Sequence, residues 1–524
     1  MSTALSPTRA KRHQLEASLP DWCALQWHHT LLSTLFVLGF LYFCYVPVSS
    51  PLTWGSIADG EALSRSEITR FPLAEGMRHA QVGELGHRVL AHLHAWGGPG
   101  LISLSFAVVQ TCSLILWSVV FVRCARHWSA ALMAFVPVVC NLSRLDGLHP
   151  LTMAPFFLGV LVFLILPAND VLHCNWAKAP WWRWLGAVVL FAAWVNVHVS
   201  FVVGLVWLVG WAAARAVETS MSGGMVDLWH DREFQRRVWL AELATLATCL
   251  NPQGWKLWQT AWWWPGNPIL EGLGGWSPAA MASSAGLLVA CSWFAGAVFA
   301  RRLPRMPVFW MTTGILGTLG VACSATQLLW GAPLLILAVL ATWGSSERTA
   351  GCQPVVVPPT DVARGGLRFT FTLLTGLVLW SGFSFSPLGS VLGGQGRTPE
   401  QILGKNMPLG ARNFLVQHAP LGLIHTPAYW TGYLGQGTPM TFMLGGTDQR
   451  VPAMVTADCE HILRGGAEWE RLARKYALTL LVIDKGQQDL LARKIRRGAA
   501  DWQIAYEDSQ TLIVTKKGAA RHHE

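Results

Sequence analysis

The chain reads as a helical, polytopic membrane protein that carries a small α/β domain at its C-terminal end. Three observations lead to that expectation. Long apolar stretches recur along the first three quarters of the 524 residues. The Lys and Arg clusters between them fall on one side if the N-terminus is cytoplasmic. The composition is 52% hydrophobic and only 13% charged, with a mean hydropathy of +0.37, which excludes an ordinary soluble globule of this length.

The stretches run, in order, at about 29–48, 100–122, 127–141, 151–167, 183–199, 200–214, 238–250, 279–300, 307–323, 326–344 and 368–387. They make about 11 transmembrane helices, several near or below the roughly 17–25 residues that cross hydrocarbon. The first follows a polar lead, residues 1–28, and no small-residue cleavage site follows it, so it reads as a span rather than a signal peptide. Arg9, Lys11 and Arg12 precede it. Inside loops then hold Arg123 and Arg126, Lys178 and Arg183, Arg215 with Arg232, Arg236 and Arg237, Arg301 with Arg302 and Arg305, and Arg348 with Arg364 and Arg368. Outside loops are poor in both residues, except the long first one at 49–99. The net charge of +10 belongs largely to those inside loops, so nucleic acid is not an expected partner.

Three parts follow: the lead 1–28, a polytopic domain 29–388, and an extracytoplasmic tail 389–524 opened by a Gly/Ser-rich linker at Ser386 to Gly396. In the tail, helix-like stretches (Pro399 to His418, Ala467 to Tyr476) alternate with apolar runs at Thr441 to Leu444 and Leu478 to Ile483. A hairpin is expected from Trp502 to Lys516, turning at Glu507-Asp508. Many of the 29 Trp cluster at span ends, as at Trp181, Trp182 and Trp184, and read as interfacial anchors or as an aromatic wall for a sugar. The 11 Cys form no disulfide framework and no Cys/His metal spacing, and Cys459, alone in the tail, is expected free. No cofactor is expected on that ground, and the use of a divalent metal stays open.

Polar groups gather at the outer ends of the spans. They are Asp59 and Glu61 after the first, Arg144, Asp146 and His149 between the third and fourth, and Asn196 and His198 between the fifth and sixth. Asn251, Gln253 and Lys256 follow the seventh, with Glu271 further along, and Thr326 and Gln327 begin the tenth. Near-membrane polar groups face a cavity or one another, so a polar cavity at the outer surface is expected, roofed by the first loop and the tail. Each group also has a plainer role. Asp59 and Glu61 suit a solvated helix start, Asn196 and His198 a hydrogen-bonded knot, Arg144 to His149 a local ion pair, and Asn251 to Gly254 a turn.

Several motifs resemble, in order and topological side, a bacterial branch of the GT-C class of membrane glycosyltransferases. They are Leu52-Thr53-Trp54-Gly55-Ser56-Ile57-Ala58-Asp59-Gly60-Glu61 with Pro72, Glu75, Glu84 and Gly97-Gly98; Trp194-Val195-Asn196-Val197-His198-Val199-Ser200-Phe201; and Leu250-Asn251-Pro252-Gln253-Gly254-Trp255. In the tail, Tyr429 to Leu434, Asp448, Arg450 and Trp469 continue the likeness. The resemblance implies a GT-C-like fold in a bacterial inner (plasma) membrane. It further implies sugar transfer from a polyprenyl-phosphate donor on the outer leaflet, with a lipid-linked sugar and membrane lipid as partners.

Such transfer needs a carboxylate to take the acceptor's proton and hydrogen-bonding or cationic groups at the leaving phosphate. The chain departs from the branch at both. Its acidic position before Trp54 holds Leu52, the following His position holds Ser56, and the basic pair near the tenth span is Thr326-Gln327. The expected base is therefore Asp59 or Glu61. The expected substrate-binding groups are Arg144, Asp146, His149, Asn196, His198, Asn251 and Gln253. The alternative is a membrane scaffold or assembly protein of the same fold that has lost catalysis. A transporter ranks third, because no internal repeat or broken midplane helix is evident.

Overall fold

A computed structural model describes residues 25–65, 72–73, 83–142, 145, 147–166, 179–263, 283–303, 307–323, 328–349, 365–393, 396–438, 440–444, 452–499 and 501–517. Among these, a helical element stands on each of the eleven apolar stretches. The first is α1 (Trp27–Tyr45), and α2 (Pro51–Arg65) follows it outside the expected spans. Next come α3 (Glu84–Ala125), a 3-10 helix at Trp128–Phe135 continued by α4 (Val136–Cys140), and a second 3-10 turn at Pro150–Met153 continued by α5 (Ala154–Ile165). Then follow α6 (Trp181–Val197), α7 (Phe201–Gly223), the short α8 (Met225–Leu228), α9 (Arg232–Ala247) and α10 (Lys256–Trp263). The last helices of this part are α11 (Ser284–Ala300), α12 (Val308–Cys323), α13 (Leu328–Thr349) and α14 (Gly365–Phe385). Three of them, α1, α3 and α7, are long and apolar enough by length and composition to cross a membrane.

Two boundaries differ from the sequence expectation, each for a physical reason. The first outer loop and the second span share one 42-residue helix, α3, bent where Gly97 and Gly98 leave helical dihedrals ahead of Pro99. Gly98 sits at φ 57°, ψ −157°, a conformation essentially confined to Gly. Helix α7 runs well past residue 214, and α9 starts at Arg232, because the polar groups between them pair. The Asp231 carboxylate caps α9 by accepting from the Glu233 and Phe234 amides, and also accepts from Arg215 Nε and Thr219 Oγ1, both at 2.7 Å. Arg237, 6% exposed, pairs with Glu233 and lies over the Trp211 ring.

The C-terminal part holds α15 (Pro399–Leu403), α16 (Leu409–His418), β1 (Leu423–His425), α17 (Ala428–Gly435), β2 (Thr441–Phe442) and α18 (Ala453–Leu463). It ends with α19 (Trp469–Lys475), β3 (Leu478–Asp484), α20 (Asp489–Arg496), β4 (Trp502–Glu507) and β5 (Thr511–Lys516). The sheet order is β2-β1-β3-β5-β4, parallel across β2, β1 and β3 and antiparallel across β3, β5 and β4. The β4–β5 hairpin turns at Asp508, whose carboxylate accepts from the Gln510 and Thr511 amides. Alternation along β3 divides the sheet's two faces. Leu481 and Ile483 join a core whose buried residues all lie in the tail, among them Cys459, Trp469 and Leu491, with Leu73 of the first loop packed against it. Leu480 and Val482 join Ile424 and Phe442 in a core that runs through Trp54 and Ile57 into the membrane helices.

The seam between the parts is polar as well as apolar. Arg397, just past the linker, donates to the Cys44 carbonyl at 2.7 Å and to Ser103 Oγ at 3.0 Å, tying the chain to the C-terminal end of α1 and to α3. Its guanidinium also lies over the Tyr45 ring. Cys459 is free and fully buried.

Candidate functional site

Helix α2 decides the candidate site, because it carries both predicted carboxylates and presents them in opposite directions. Residues nine apart lie roughly 180° round a helix, whereas seven apart is close to two full turns. Asp59 therefore shares the face of Leu52, about 10 Å further along the axis, and Glu61 takes the far side. Asp59 is 4% exposed and faces α3. There the backbones touch, since a Cβ on Gly60 would run into the His87 carbonyl and the Ala91 side chain. The His87 ring, 3% exposed, lies within electrostatic reach of the Asp59 and Glu84 carboxylates. Glu61 instead accepts a hydrogen bond from the Gly437 amide of the tail at 2.8 Å.

Two further predicted residues join this cluster. Gly83 (φ 83°) lets the start of α3 abut the end of α6, where a Cβ would strike the Val197 carbonyl. His198, the residue that ends α6, is 8% exposed; its Nδ1 accepts from the Ser200 amide at 3.0 Å, and His149 and His87 lie within its electrostatic reach. His149 precedes the Pro150 turn, where Thr152 caps it, and burial pushes its pKa down to about 4. It is therefore a neutral imidazole at physiological pH, able to offer a hydrogen bond without a charge. Asp59 is thus coupled to His87, and His87 and His149 to His198, across four separated segments. His87 was not among the predicted site residues. Its signal was its place, three residues into a helix behind Glu84, and no motif marked it.

The other predictions part company with the cluster. Asn196 spends its amide on the Ala192 and Leu250 carbonyls, both at 2.7 Å, tying α6 to the end of α9. Asn251 donates to the Thr248 and Gly254 carbonyls and accepts from the Gln253 amide, which makes the turn of the plainer reading. Gln253 is half-buried in that turn. Arg144 and Asp146 lie outside the described residues, as do Glu271, Thr326, Gln327, Asp448 and Arg450. No group of three or more His, Cys, Asp or Glu among the described residues is arranged to hold a metal ion. A crevice inside the helical part is lined by Gln110, Ser113, Trp117, Pro137, Pro155 and Pro333, and none of the predicted site residues lines it.

No protein-family model matches the chain, and no curated protein matches it. Among solved structures it is similar to the arabinofuranosyltransferase AftD from Mycobacteria, at 13% identity over 94% of this chain and with a TM-score of 0.48. The chain spans 40% of AftD's length. It is similar to ArnT from Cupriavidus metallidurans bound to undecaprenyl phosphate, at 13% identity over 94% of this chain and 98% of that one, TM-score 0.46. The third is the archaeal oligosaccharyltransferase AglB from Archaeoglobus fulgidus, at 10% identity over 87% of this chain and 69% of that one, TM-score 0.49. At these identities no residue role passes from them to this chain.

Proposed function

We propose that this protein transfers a sugar from a polyprenyl-phosphate donor at the outer membrane leaflet, with Asp59 as the base. The carrying observation is the buried gathering of Asp59 with His87, His149 and His198 at the outer ends of the helices, on the same face of α2 as the family-like acidic position now held by Leu52. In the step, an acceptor hydroxyl oxygen forms a bond to the anomeric carbon while the bond from that carbon to the phosphate oxygen breaks. The bonding pair leaves with the polyprenyl phosphate. Asp59 takes the hydroxyl proton, His87 beside it fixes the carboxylate's orientation, and the neutral imidazoles of His149 and His198 offer hydrogen bonds to developing charge. The topology belongs to the same proposal, with the N-terminus inside and the tail outside.

The test uses the full chain in nanodiscs with sugars linked to polyprenyl phosphate. Asp59→Asn removes a charge and little volume, so insertion stays intact while transfer falls by roughly 10²–10⁴-fold. Unchanged transfer in that variant removes Asp59 from the reaction. A second reading has its own support. Leu52 stands in the acidic position and Asp59 is closed off by helix packing, which fits a scaffold that keeps the fold without the reaction. Wild-type protein that transfers no sugar from any lipid-linked donor leaves that reading standing.

A further inference from the structure

We propose that Glu61 is a positioning residue: its carboxylate latches a turn of the tail onto α2 and so seats the helix that carries Asp59. The inference rests on the reading of Asp59 just given. The turn is Gly435 to Thr438, closed by a hydrogen bond from the Thr438 amide to the Gly435 carbonyl at 3.3 Å. Gln436 at φ −65°, ψ 130° and Gly437 at φ 70° give it type II geometry, in which the third position takes Gly because φ is positive. Its closing bond uses the Thr438 amide, so the Gly437 amide is left to point outward. It donates to Glu61 Oε2 at 2.8 Å.

The same turn grips a second helix. Gln436 Nε2 lies 2.6 Å from His94 Nδ1 on α3, and the Glu61 charge reaches the His94 ring. One turn back along α17, Gly432 lies against the Trp54–Gly55 backbone, where a Cβ would collide. Tyr433 meets the Trp54 ring edge-on, with centroids 5.0 Å apart. Helix α2 is therefore held by the tail both at Trp54 and at Glu61, and Asp59 lies on the stretch between. What this arrangement asks of Glu61 is an acceptor oxygen, which a neutral amide also supplies. A proton-accepting role asks for a charge, which an amide lacks. The two roles give opposite expectations for Glu61→Gln.

The experiment follows hydrogen exchange of the tail segment 430–438 and the α2 segment 52–63 by mass spectrometry, on the full chain in nanodiscs. Transfer from polyprenyl-phosphate-linked sugars is measured on the same samples. Glu61→Leu is expected to speed exchange in both segments about tenfold, and Glu61→Gln to stay within about threefold of wild type. Gly437→Ala, strained at its positive φ, attacks the latch from the tail side and is expected to reproduce the Glu61→Leu pattern even if that variant folds poorly. Transfer turnover is expected to fall in Glu61→Leu with KM unchanged, and to recover in Glu61→Gln. Exchange in Glu61→Gln as fast as in Glu61→Leu overturns the latch, as does wild-type protection in Glu61→Leu and Gly437→Ala. Loss of transfer in Glu61→Gln with protection intact also overturns it, by making the charge itself the requirement. If wild-type protein transfers no sugar, the function proposed above falls, and the exchange measurements decide the latch alone.

Discussion

Single residues show where sequence reasoning reached and where it stopped. Asp59 could be picked from the chain because it was one of the nearest acids to a motif position, but its partner His87 could not. Nothing in the order of residues says that Gly60 lets two helix backbones touch there. Asn196 and Asn251 were picked because they are polar near a membrane and sit in family-like motifs, and in the fold their amides close backbone gaps. His425 makes a different point. It ends β1 fully buried, neither ring nitrogen has a hydrogen-bond partner among the described residues, and burial lowers its pKa to about 4. In the unfolded chain a histidine titrates near 6.5. The folded state thus keeps the neutral ring while the unfolded state takes up a proton. Its contribution is complete above about pH 6.5, declines as pH falls toward 4 and is flat below that. His149 shifts in the same direction over the same window. Thermal unfolding of the full chain across that range is expected to show a stability loss on acidification, and His425→Leu should flatten its slope. An unchanged slope would remove His425 from the acid response.

At the scale of elements, apolar length located the helices, a short apolar run located β3, and the hairpin was placed at Trp502 to Lys516, because apolar runs mark segments withdrawn from water. The kinked α3, the three-residue β1, and helices α17 and α18 were not legible. Each is short or joins a polar limb to an apolar one, and its form depends on what packs against it. Helix α2 supplies a paired test of such packing. A Cβ on Gly55 meets nothing within 4 Å, whereas one on Gly60 collides with α3. Gly55→Ala is expected to be neutral or to stabilise by about 0.5–1 kcal/mol, since Ala is the better helix former. Gly60→Ala should force α2 off α3 and lower the melting temperature in detergent, with typical overpacking costs of about 1–3 kcal/mol. Equal melting temperatures for the two variants would contradict the described contact between the helices.

For the whole molecule, the one-sided placement of Lys and Arg predicts which surface a reagent can reach. A Cys placed at exposed Met454 (68% exposed) is expected to react with a membrane-impermeant thiol reagent added outside intact cells. Cys459, fully buried, should stay silent until the protein unfolds. Labelling at residue 454 only after the cells are opened would reverse the orientation. The continuous core through Trp54, Ile57, Ile424 and Leu480 also argues that the tail is no detachable module, and a chain ending at residue 396 should insert but melt well below the full protein. Helix α3 has a consequence of another kind. It carries His87 at one end and Arg123 at the other, so a rigid rod would pass every change in bilayer thickness straight to the Asp59 cluster. The Gly97–Gly98 bend breaks that rod into two limbs, so the direction of the limb that ends at Arg123 is set apart from that of the limb that carries His87.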